Sequence, residues 1–337
     1  MNPRERVLAA IKHQETDYIP YTIGLTSQAR ARVAAWLNDD NFERHFEKHI
    51  NVVYYDGYLT EEKAGSGFWR DDFGVLWNRN GADKDIGVIC GQVIPEADLA
   101  DYVFPAIDER RLRIEYASLA AADSSVCKIG SIGFSLFERA WSLRGMENFL
   151  VDMATEPEFA DRLLDDITDY NLKIVEIALE YPIDGFHFGD DWGQQQGMIM
   201  GPSYWRRFIK PRLARLYGRV RAAGKFVSQH SCGDIREVLP DLIDIGLNIY
   251  QTVQPEIYDL PWLKREYGRD LTFWGGISTQ RLLPFATPDE VRRVTRQTMA
   301  LMGRGGGYIA APTHAVPGDV PPENILAMAE VFRDQSN

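Results

Sequence analysis

Residues 225–234, KFVSQHSCGD, hold the pattern on which the fold and the chemistry of this chain turn. A short apolar strand follows Gly224 and ends in a turn where His230 and Cys232 lie two residues apart. Side chains at positions i and i+2 of an extended segment share a face, so the imidazole and the thiol converge where the strand ends. Zinc accepts both ligand types, which makes a zinc site one interpretation. A buried cysteine beside a hydrogen-bonded histidine is the other, because two ligands do not make a site.

Strand-like and helix-like segments alternate along most of the 337 residues. Helices between strands indicate a parallel sheet, and eight such units predict a (β/α)8 TIM barrel with an N-terminal helical extension. An open doubly wound sheet is disfavoured because the glycine-rich run 303–307 precedes a strand instead of following one. The predicted strands lie near residues 19–24, 50–55, 127–133, 183–188, 225–230, 247–251, 271–275 and 307–311. The main predicted helices lie near residues 2–13, 27–38, 41–49, 156–180, 202–223, 235–245, 259–267 and 322–332, and a further helix begins at residues 287–290.

Residues 57–126 depart from this alternation, and we predict a long insertion after the second strand. Glycine and aromatic residues in 65–69 and 73–77 favour a β-hairpin over a helix. Long excursions in compact domains are often lids or interface elements. We therefore predict one domain, residues 1–337, in which the insertion helps to cover a pocket.

Composition excludes several classes of partner. The chain has 37 lysines and arginines against 49 aspartates and glutamates, a net charge of −12, which argues against nucleic acid and anionic membranes. Its three cysteines lie far apart and do not form a disulfide framework. No run approaches 18 apolar residues, and the first residues lead into an amphipathic helix instead of a signal peptide. We expect a soluble cytoplasmic protein.

Polar residues collect at the predicted carboxyl ends of the strands, where a barrel carries its chemistry. His314 follows the eighth strand and is the candidate for a third zinc ligand, which would leave one position open, as catalytic zinc sites do. Asp191 or Glu256 could complete the site instead, and a loop histidine is the structural alternative. The strand-end residues are Gly24, Asp56, Ser131, Phe134, Asp190, Asp191, His230, Cys232, Gln251, Gln254, Gly275, Gly276, Pro312, Thr313 and His314.

The adjacent carboxylates Asp190 and Asp191 have two interpretations. Neighbouring carboxylates can split their pKa values and supply one acid and one base. Alternatively, one caps the following turn and the other orients a histidine. Asp56 is a weaker candidate of the same kind, with a turn residue as its alternative.

Substrate-binding candidates come from the same strand ends. They are Ser131, Phe134, Gln254 and Trp274. An aromatic wall to the pocket would also include Trp141 and Trp192, although most aromatic residues in barrels belong to the core.

Six short motifs resemble the uroporphyrinogen decarboxylase superfamily. They keep their order along nearly the whole chain, and the resemblance implies the same barrel. The motifs are PRERV at 3–7, FGDD at 188–191, QHSCGD at 229–234, QPE at 254–256, FWGGI at 273–277 and VPPENI at 320–325.

The decarboxylases of this superfamily use no metal. They bind a polycarboxylate tetrapyrrole with arginines in an early segment and orient it with an aspartate, for which Asp56 is a candidate here. In this chain the early segment, residues 21–27, reads YTIGLTS, with no arginine until Arg30. The resemblance therefore does not favour decarboxylation of uroporphyrinogen.

The other branch consists of zinc-dependent methyltransferases that work with corrinoid proteins. They carry His-x-Cys after an inner strand and a further cysteine after the last one. This chain matches at His230 and Cys232 but has His314 where the second cysteine is expected. Because two histidines and one thiolate are less electron-rich than one histidine and two thiolates, such a zinc should be the better Lewis acid. We predict zinc-dependent methyl transfer between a methylated compound, with a methyl ether favoured, and a corrinoid.

Two alternatives remain. One is a metal-free decarboxylase of a smaller carboxylated substrate, with Asp56 and Asp190 as acid and orienting group. The other is a non-catalytic barrel that binds a tetrapyrrole or corrinoid. The expected partners are a small methyl donor or acceptor, a corrinoid protein and, since dimers are common among such barrels, a second copy of the chain.

Overall fold

The computed structural model describes residues 1–81 and 85–335, and its centre is a curled sheet of seven parallel strands. The sheet order is β1-β6-β7-β10-β11-β12-β13, so strands that follow one another in this sheet along the chain are neighbours in space. In chain order the strands are β1 (Ile50–Tyr55), β2 (Leu59–Glu61), β3 (Phe68–Asp71), β4 (Leu76–Asn78), β5 (Val88–Cys90), β6 (Cys127–Ile132), β7 (Gly185–Gly189), β8 (Gly193–Gln194), β9 (Gly197–Met198), β10 (Phe226–His230), β11 (Ile249–Val253), β12 (Thr272–Ile277) and β13 (Tyr308–Pro312).

Helices connect the strands of this sheet, as in a TIM barrel, and the predicted fold class is confirmed. In chain order the helices are α1 (Pro3–Ile11), α2 (Ser27–Leu37), α3 (Glu109–Ala121), α4 (Phe137–Arg144), α5 (Met146–Thr155), α6 (Pro157–Leu179), α7 (Gly201–Tyr204), α8 (Lys210–Ala222), α9 (Leu239–Asp244), α10 (Leu260–Tyr267), α11 (Leu282–Phe285), α12 (Pro288–Gly303) and α13 (Pro322–Arg333).

The first predicted strand, residues 19–24, is wrong. Within it, Tyr21 forms an isolated parallel bridge to Ala310 of β13, and just after it Leu25 bridges Val316, which lies beyond the end of β13. Pro20 accepts a hydrogen bond of 2.9 Å from the Ala310 amide but has no N–H to donate, so a regular ladder cannot extend through it. This segment nevertheless covers the edge of β13.

Two helix predictions also differ from the structure. Residues 41–49 contain a single 3-10 turn, Phe42–His45, after which the chain is extended into β1. The predicted helix over residues 202–223 is divided by a π-helical turn, Trp205–Ile209, between α7 and α8. No helix within residues 1–81 and 85–335 has the length and apolar character needed to cross a bilayer.

The alternation of side chains along β10 separates the barrel interior from the helix layer. Phe226 packs in an interior cluster that includes Ile249 and Ile309. Three residues later, the Gln229 side chain faces outward and accepts a 2.6 Å hydrogen bond from the Tyr217 hydroxyl of α8. His230 therefore shares its face with Phe226, since inward positions repeat every two residues.

Helix α1 closes the amino-terminal end of the barrel. Val7 belongs to the same interior cluster as Phe226, and the Arg4 guanidinium donates to both oxygens of Asp184, just before β7, at 2.6–3.0 Å. The end of the barrel where the strands terminate is left for the functional site.

The insertion forms an antiparallel sheet of β2, β3, β4 and β5 in sequence order. The predicted hairpin is present as β3 and β4, with Trp69 opposite Trp77. A buried ion pair of 2.8 Å between Asp71 and Arg139 ties this sheet to α4. Residues 82–84 of the predicted insertion lie outside the described residues.

Candidate functional site

A cavity of about 250 Å³ lies at the carboxyl ends of the barrel strands. Its walls come from the strand ends on one side and from the insertion on the other. The residues that line it are Tyr54, Asp56, Gly57, Leu59, Asp71, Trp77, Arg79, Asp85, Ile86, Ser131, Gly133, Phe134, Glu138, His187, Gly189, Asp191, His230, Gln251 and His314.

Two residues that line this cavity, His230 and His314, form with the adjacent Cys232 a group that could hold a metal ion. One ligand atom each from His230, Cys232 and His314 can be chosen so that all lie within 4.8 Å of one another. The Nε2 atom of His230 is 3.4 Å from the Cys232 sulfur, and the His230 and His314 ring centroids are 5.8 Å apart. The structure thus brings together the three residues that the sequence selected as ligands.

The donor set fits zinc. Bonds of 2.0–2.3 Å in a tetrahedral site separate neighbouring ligand atoms by about 3.5 Å, close to the spacing of the His230 and Cys232 donors. The other ring nitrogen of His230, Nδ1, is 2.6 Å from Oε1 of Gln251. An amide oxygen at this position accepts a hydrogen bond from Nδ1 and so keeps the ring proton there. The lone pair of Nε2 is then available to a metal ion, which is the common arrangement of metal-bound histidines.

Asp191 supports the two ligands on the turn after β10. One carboxylate oxygen accepts a 2.8 Å hydrogen bond from the Cys232 amide and lies 3.3 Å from Nε2 of His230. Burial acts to raise the pKa of Asp191, but His230 and Cys232 outweigh it and lower that pKa to about 2. Burial likewise acts to lower the pKa of His230, and the Cys232 sulfur and Asp191 reverse this effect. The ionised carboxylate therefore stabilises positive charge at this position, whether on a proton or on a metal ion.

The Asp190 carboxylate points toward the start of α4 and not toward the ligand turn. It is fully buried, and its carboxylate accepts hydrogen bonds from the backbone amides of residues 136, 137 and 138, where α4 begins, at 2.8–3.2 Å. The indole of Trp192 donates a fourth bond of 2.5 Å. Burial raises the pKa of Asp190 to about 6, against the effect of these donors. It does not line the cavity, so of the two interpretations of the aspartate pair the structure favours helix capping by Asp190 and histidine orientation by Asp191.

The turn that carries Cys232 is fixed by close backbone packing. Gly233 has a φ of +79°, and a Cβ atom there would lie 2.1 Å from the Gly193 carbonyl carbon in the short β8–β9 hairpin. The Gln254 side-chain oxygen accepts a 2.8 Å hydrogen bond from the Gly233 amide. Gln254 is thus a support of the turn, and the structure does not place it on the cavity wall as predicted.

The other predicted residues divide between the cavity and the core. Asp56, Ser131 and Phe134 line the cavity. Trp274 lies in the barrel interior, where its indole donates a 2.8 Å hydrogen bond to the Thr22 hydroxyl. Glu256 accepts a hydrogen bond from the Ser278 hydroxyl and lies outside the group of His230, Cys232 and His314.

The predicted aromatic wall is only partly present. Trp192 is buried against Trp205, with ring centroids 5.4 Å apart, and Trp141 lies behind Phe134 at 6.2 Å. In its place, Trp77 of the insertion contacts Phe134 at 5.5 Å and lines the cavity.

Several cavity residues were missed from the sequence. Tyr54 lies one residue before the end of β1, and Glu138 lies in the first turn of α4 instead of at a strand end. Gln251 was recognised as a strand-end residue but not as the partner of a ligand. A search that included the first turn of each helix after a strand would have found Glu138.

Comparison with known proteins agrees with the resemblance seen in the sequence motifs. The sequence profile of the uroporphyrinogen decarboxylase (URO-D) family matches residues 88–335. The chain belongs to this family. The match leaves out α1, α2, β1 and the first part of the insertion, residues 57–87, which includes the cavity-lining residues Leu59 and Trp77.

The similar proteins include a methyltransferase and a decarboxylase, one from each of the two branches described above. A methylated-thiol–coenzyme M methyltransferase of Methanosarcina mazei is 22% identical over 99% of this chain and 90% of its own length. A uroporphyrinogen decarboxylase of Thermus thermophilus is 23% identical over 51% of this chain and 48% of its own. A solved methyltransferase structure from Methanosarcina mazei, 18% identical, superposes with a TM-score of 0.70 over 99% of both chains, which supports the fold.

Proposed function

We propose that this URO-D family protein is a zinc-dependent methyltransferase that moves a methyl group between a methylated small molecule and a corrinoid carried by a partner protein. The observation that carries the proposal is the group of His230, Cys232 and His314, whose ligand atoms lie within 4.8 Å of one another at the cavity. The full-length similarity to a methyltransferase supports the reaction class. A methyl ether is the favoured donor, because a site with two histidines and one thiolate is suited to hold an oxygen leaving group.

Each residue has a defined part in this proposal. A zinc ion on the three ligands would supply Lewis-acid activation of the heteroatom that carries the methyl group. Gln251 orients the His230 ring, and Asp191 holds the Cys232 amide and stabilises the charge of the site. The insertion supplies Leu59, Trp77 and Arg79 to one wall of the cavity.

The composition of the cavity disfavours the decarboxylase alternative. A carboxylated substrate needs basic side chains to neutralise it. Among the described lining residues, Arg79 is the one arginine or lysine, and five lining residues carry carboxylates. Asp190, expected as the orienting group of a decarboxylase, is buried away from the cavity.

The test is metal content by mass spectrometry on protein purified without chelator or affinity tag. Wild type is expected to hold about one zinc per chain, and Cys232→Ala and His314→Ala are each expected to lose it. Cys90→Ala and His45→Ala, which change the same residue types outside the ligand group, are the matched controls and should retain the metal.

Other outcomes would redirect the proposal. Loss with Cys232→Ala alone would make Asp191 the third ligand. A wild-type protein that holds no zinc, even after incubation with it, would remove the basis for zinc-dependent methyl transfer and return attention to the decarboxylase or the binding barrel.

A further inference from the structure

The acidic side chains of the cavity outnumber its arginines and lysines, and this imbalance bears on the substrate. The described wall contains Arg79 but carries five carboxylates. They are Asp56, Asp71, Asp85, Glu138 and Asp191.

Three of these carboxylates have evident partners. Asp71 forms its 2.8 Å ion pair with Arg139. Asp85 accepts hydrogen bonds from the amide and the hydroxyl of Ser27 at 3.0 and 2.5 Å. Asp191 holds the ligand turn, as described above. Arg139 therefore compensates the charge of Asp71 and His230 that of Asp191, whereas Asp85 is held by the neutral donors of Ser27.

The remaining two, Asp56 and Glu138, have no basic side chain within ion-pairing distance in residues 1–81 and 85–335. Burial raises the pKa of Asp56. Burial, followed by the charges of Asp191 and Asp190, raises the pKa of Glu138 well above its ordinary value. The charges of Arg139 and Arg79 offset part of this effect at Asp56, and the charge of His230 offsets part of it at Glu138. A further cation between the two carboxylates would still favour their charged forms.

Aromatic rings surround the same space. Tyr54, Trp77 and Phe134 line the cavity, and the last two meet edge to face with centroids 5.5 Å apart. Ring faces attract cations, most strongly where water is excluded. The Ser131 hydroxyl also lines the cavity, is buried and makes no hydrogen bond of ordinary geometry among the described residues, so a ligand there can supply its partner.

We propose that Asp56, Glu138 and the rings of Tyr54, Trp77 and Phe134 form a subsite for a positively charged group of the substrate, of the alkylammonium class. The proposal rests on the proposed function for the identity of the site and adds the charge class of the small molecule. Carboxylates compensate the ligand's charge, and aromatic faces replace its hydration shell.

The experiment compares three probes of equal size that differ in charge: 4-methoxybenzylammonium, 4-methoxybenzyl alcohol and 4-methoxybenzoate. Binding to the full-length protein is measured by isothermal titration calorimetry, before and after removal of metal with a chelator. The ammonium is expected to bind about tenfold or more tightly than the alcohol, and the benzoate most weakly. The metal-free measurement removes any contribution from direct coordination of the carboxylate.

Variants that keep shape but remove charge locate the effect. Asp56→Asn combined with Glu138→Gln should bring the ammonium and the alcohol to nearly equal affinity. Asp101→Asn, an exposed change on the insertion with the same loss of charge, should leave the preference intact.

The proposal is overturned if the alcohol or the benzoate binds as tightly as the ammonium, if no probe binds at millimolar concentration, or if the double variant keeps the preference. Because these titrations require neither corrinoid nor methyl transfer, the two proposals fail separately. A protein without zinc that still prefers the ammonium would keep the subsite and lose the methyltransferase. A zinc protein without charge preference would do the reverse.

Discussion

At the scale of single residues, neighbouring side chains on one strand have opposite surroundings. Asp190 and Asp191 directly follow the end of β7, and their carboxylates bond different parts of the protein. One carboxylate meets the amides that begin α4, and the other meets the ligand turn. The difference lies in orientation and not in chemistry, so exchanging either residue for asparagine should separate two kinds of effect.

Asp190→Asn should destabilise the protein, because an amide nitrogen would face amide donors that now share two carboxylate oxygens. We expect a loss of about 2–4 kcal/mol in the free energy of unfolding, measured with urea. Asp191→Asn should change stability by less than about 1 kcal/mol but weaken zinc binding about 10- to 100-fold in competition with a chelator. An Asp190→Asn protein of full stability with reduced activity would instead assign Asp190 a chemical part.

Much of the ligand group could be predicted from the sequence at this scale. His230 and Cys232 follow from spacing along one strand, and His314 follows from the rule that strand ends of a barrel converge. Glu138 and Tyr54 could not be found in this way, because a helix turn and the face of a penultimate strand residue depend on how the strands are placed in three dimensions. The aspartate pair could be located but not divided between its two roles.

At the scale of elements, the turn after β10 and the β8–β9 hairpin pack backbone against backbone. The Asp234 amide donates a 2.8 Å hydrogen bond to the Gln194 carbonyl, and Gly233 leaves no room for a side chain between them. The position of Cys232 thus depends on a hairpin that is remote from the ligands in sequence.

Gly233→Ala and Gly65→Ala form a matched pair that tests this contact. Both glycines have similar φ values, +79° and +75°, but a Cβ atom on Gly65 would meet nothing within 4 Å. Gly65→Ala should therefore cost about 1–2 kcal/mol of stability from strain alone. Gly233→Ala should cost about 3 kcal/mol or more and also reduce zinc content. Equal losses in the two variants, with zinc retained in both, would show that the hairpin does not hold the ligand turn.

Elements were predicted well where apolar runs are bounded by clear signals and poorly where a proline or an insertion intervenes. Seven strands appear within a few residues of their predicted positions, while Pro20 prevents the regular ladder expected near residues 19–24. The sequence predicted the hairpin of the insertion and that the insertion helps to cover a pocket. It did not predict which insertion residues line the cavity, since their placement depends on the Asp71–Arg139 pair across 68 residues of sequence.

At the scale of the whole molecule, a buried histidine should contribute to the pH dependence of stability. His49 is 1% exposed between the rings of Tyr18 and Tyr21, and burial, helped by Arg6, lowers its pKa to about 4. Because the unfolded chain takes up this proton near pH 6.5 and the folded chain only near pH 4, stability should fall as the pH is lowered through that interval.

His49→Phe keeps a ring between the two tyrosines and removes the titration. The loss of unfolding free energy between pH 7 and pH 4 should shrink by about 2–3 kcal/mol relative to wild type, measured by denaturant titration at each pH. His45→Phe, at an exposed position, is the control and should follow the wild-type curve. Identical pH dependence in all three proteins would contradict the assignment.

The edge covered by residues 18–25 has a consequence for synthesis on the ribosome. The amide and the carbonyl of Ile19 both form hydrogen bonds with the Gln335 side chain, and Tyr21 forms a bridge to Ala310. These early residues therefore cannot form their contacts until residues that lie about 290 or more positions later have been translated. The nascent barrel stays open until translation passes these positions. His314 is translated 82 residues after Cys232, so the proposed ligand group of His230, Cys232 and His314 cannot assemble until residue 314 has been made.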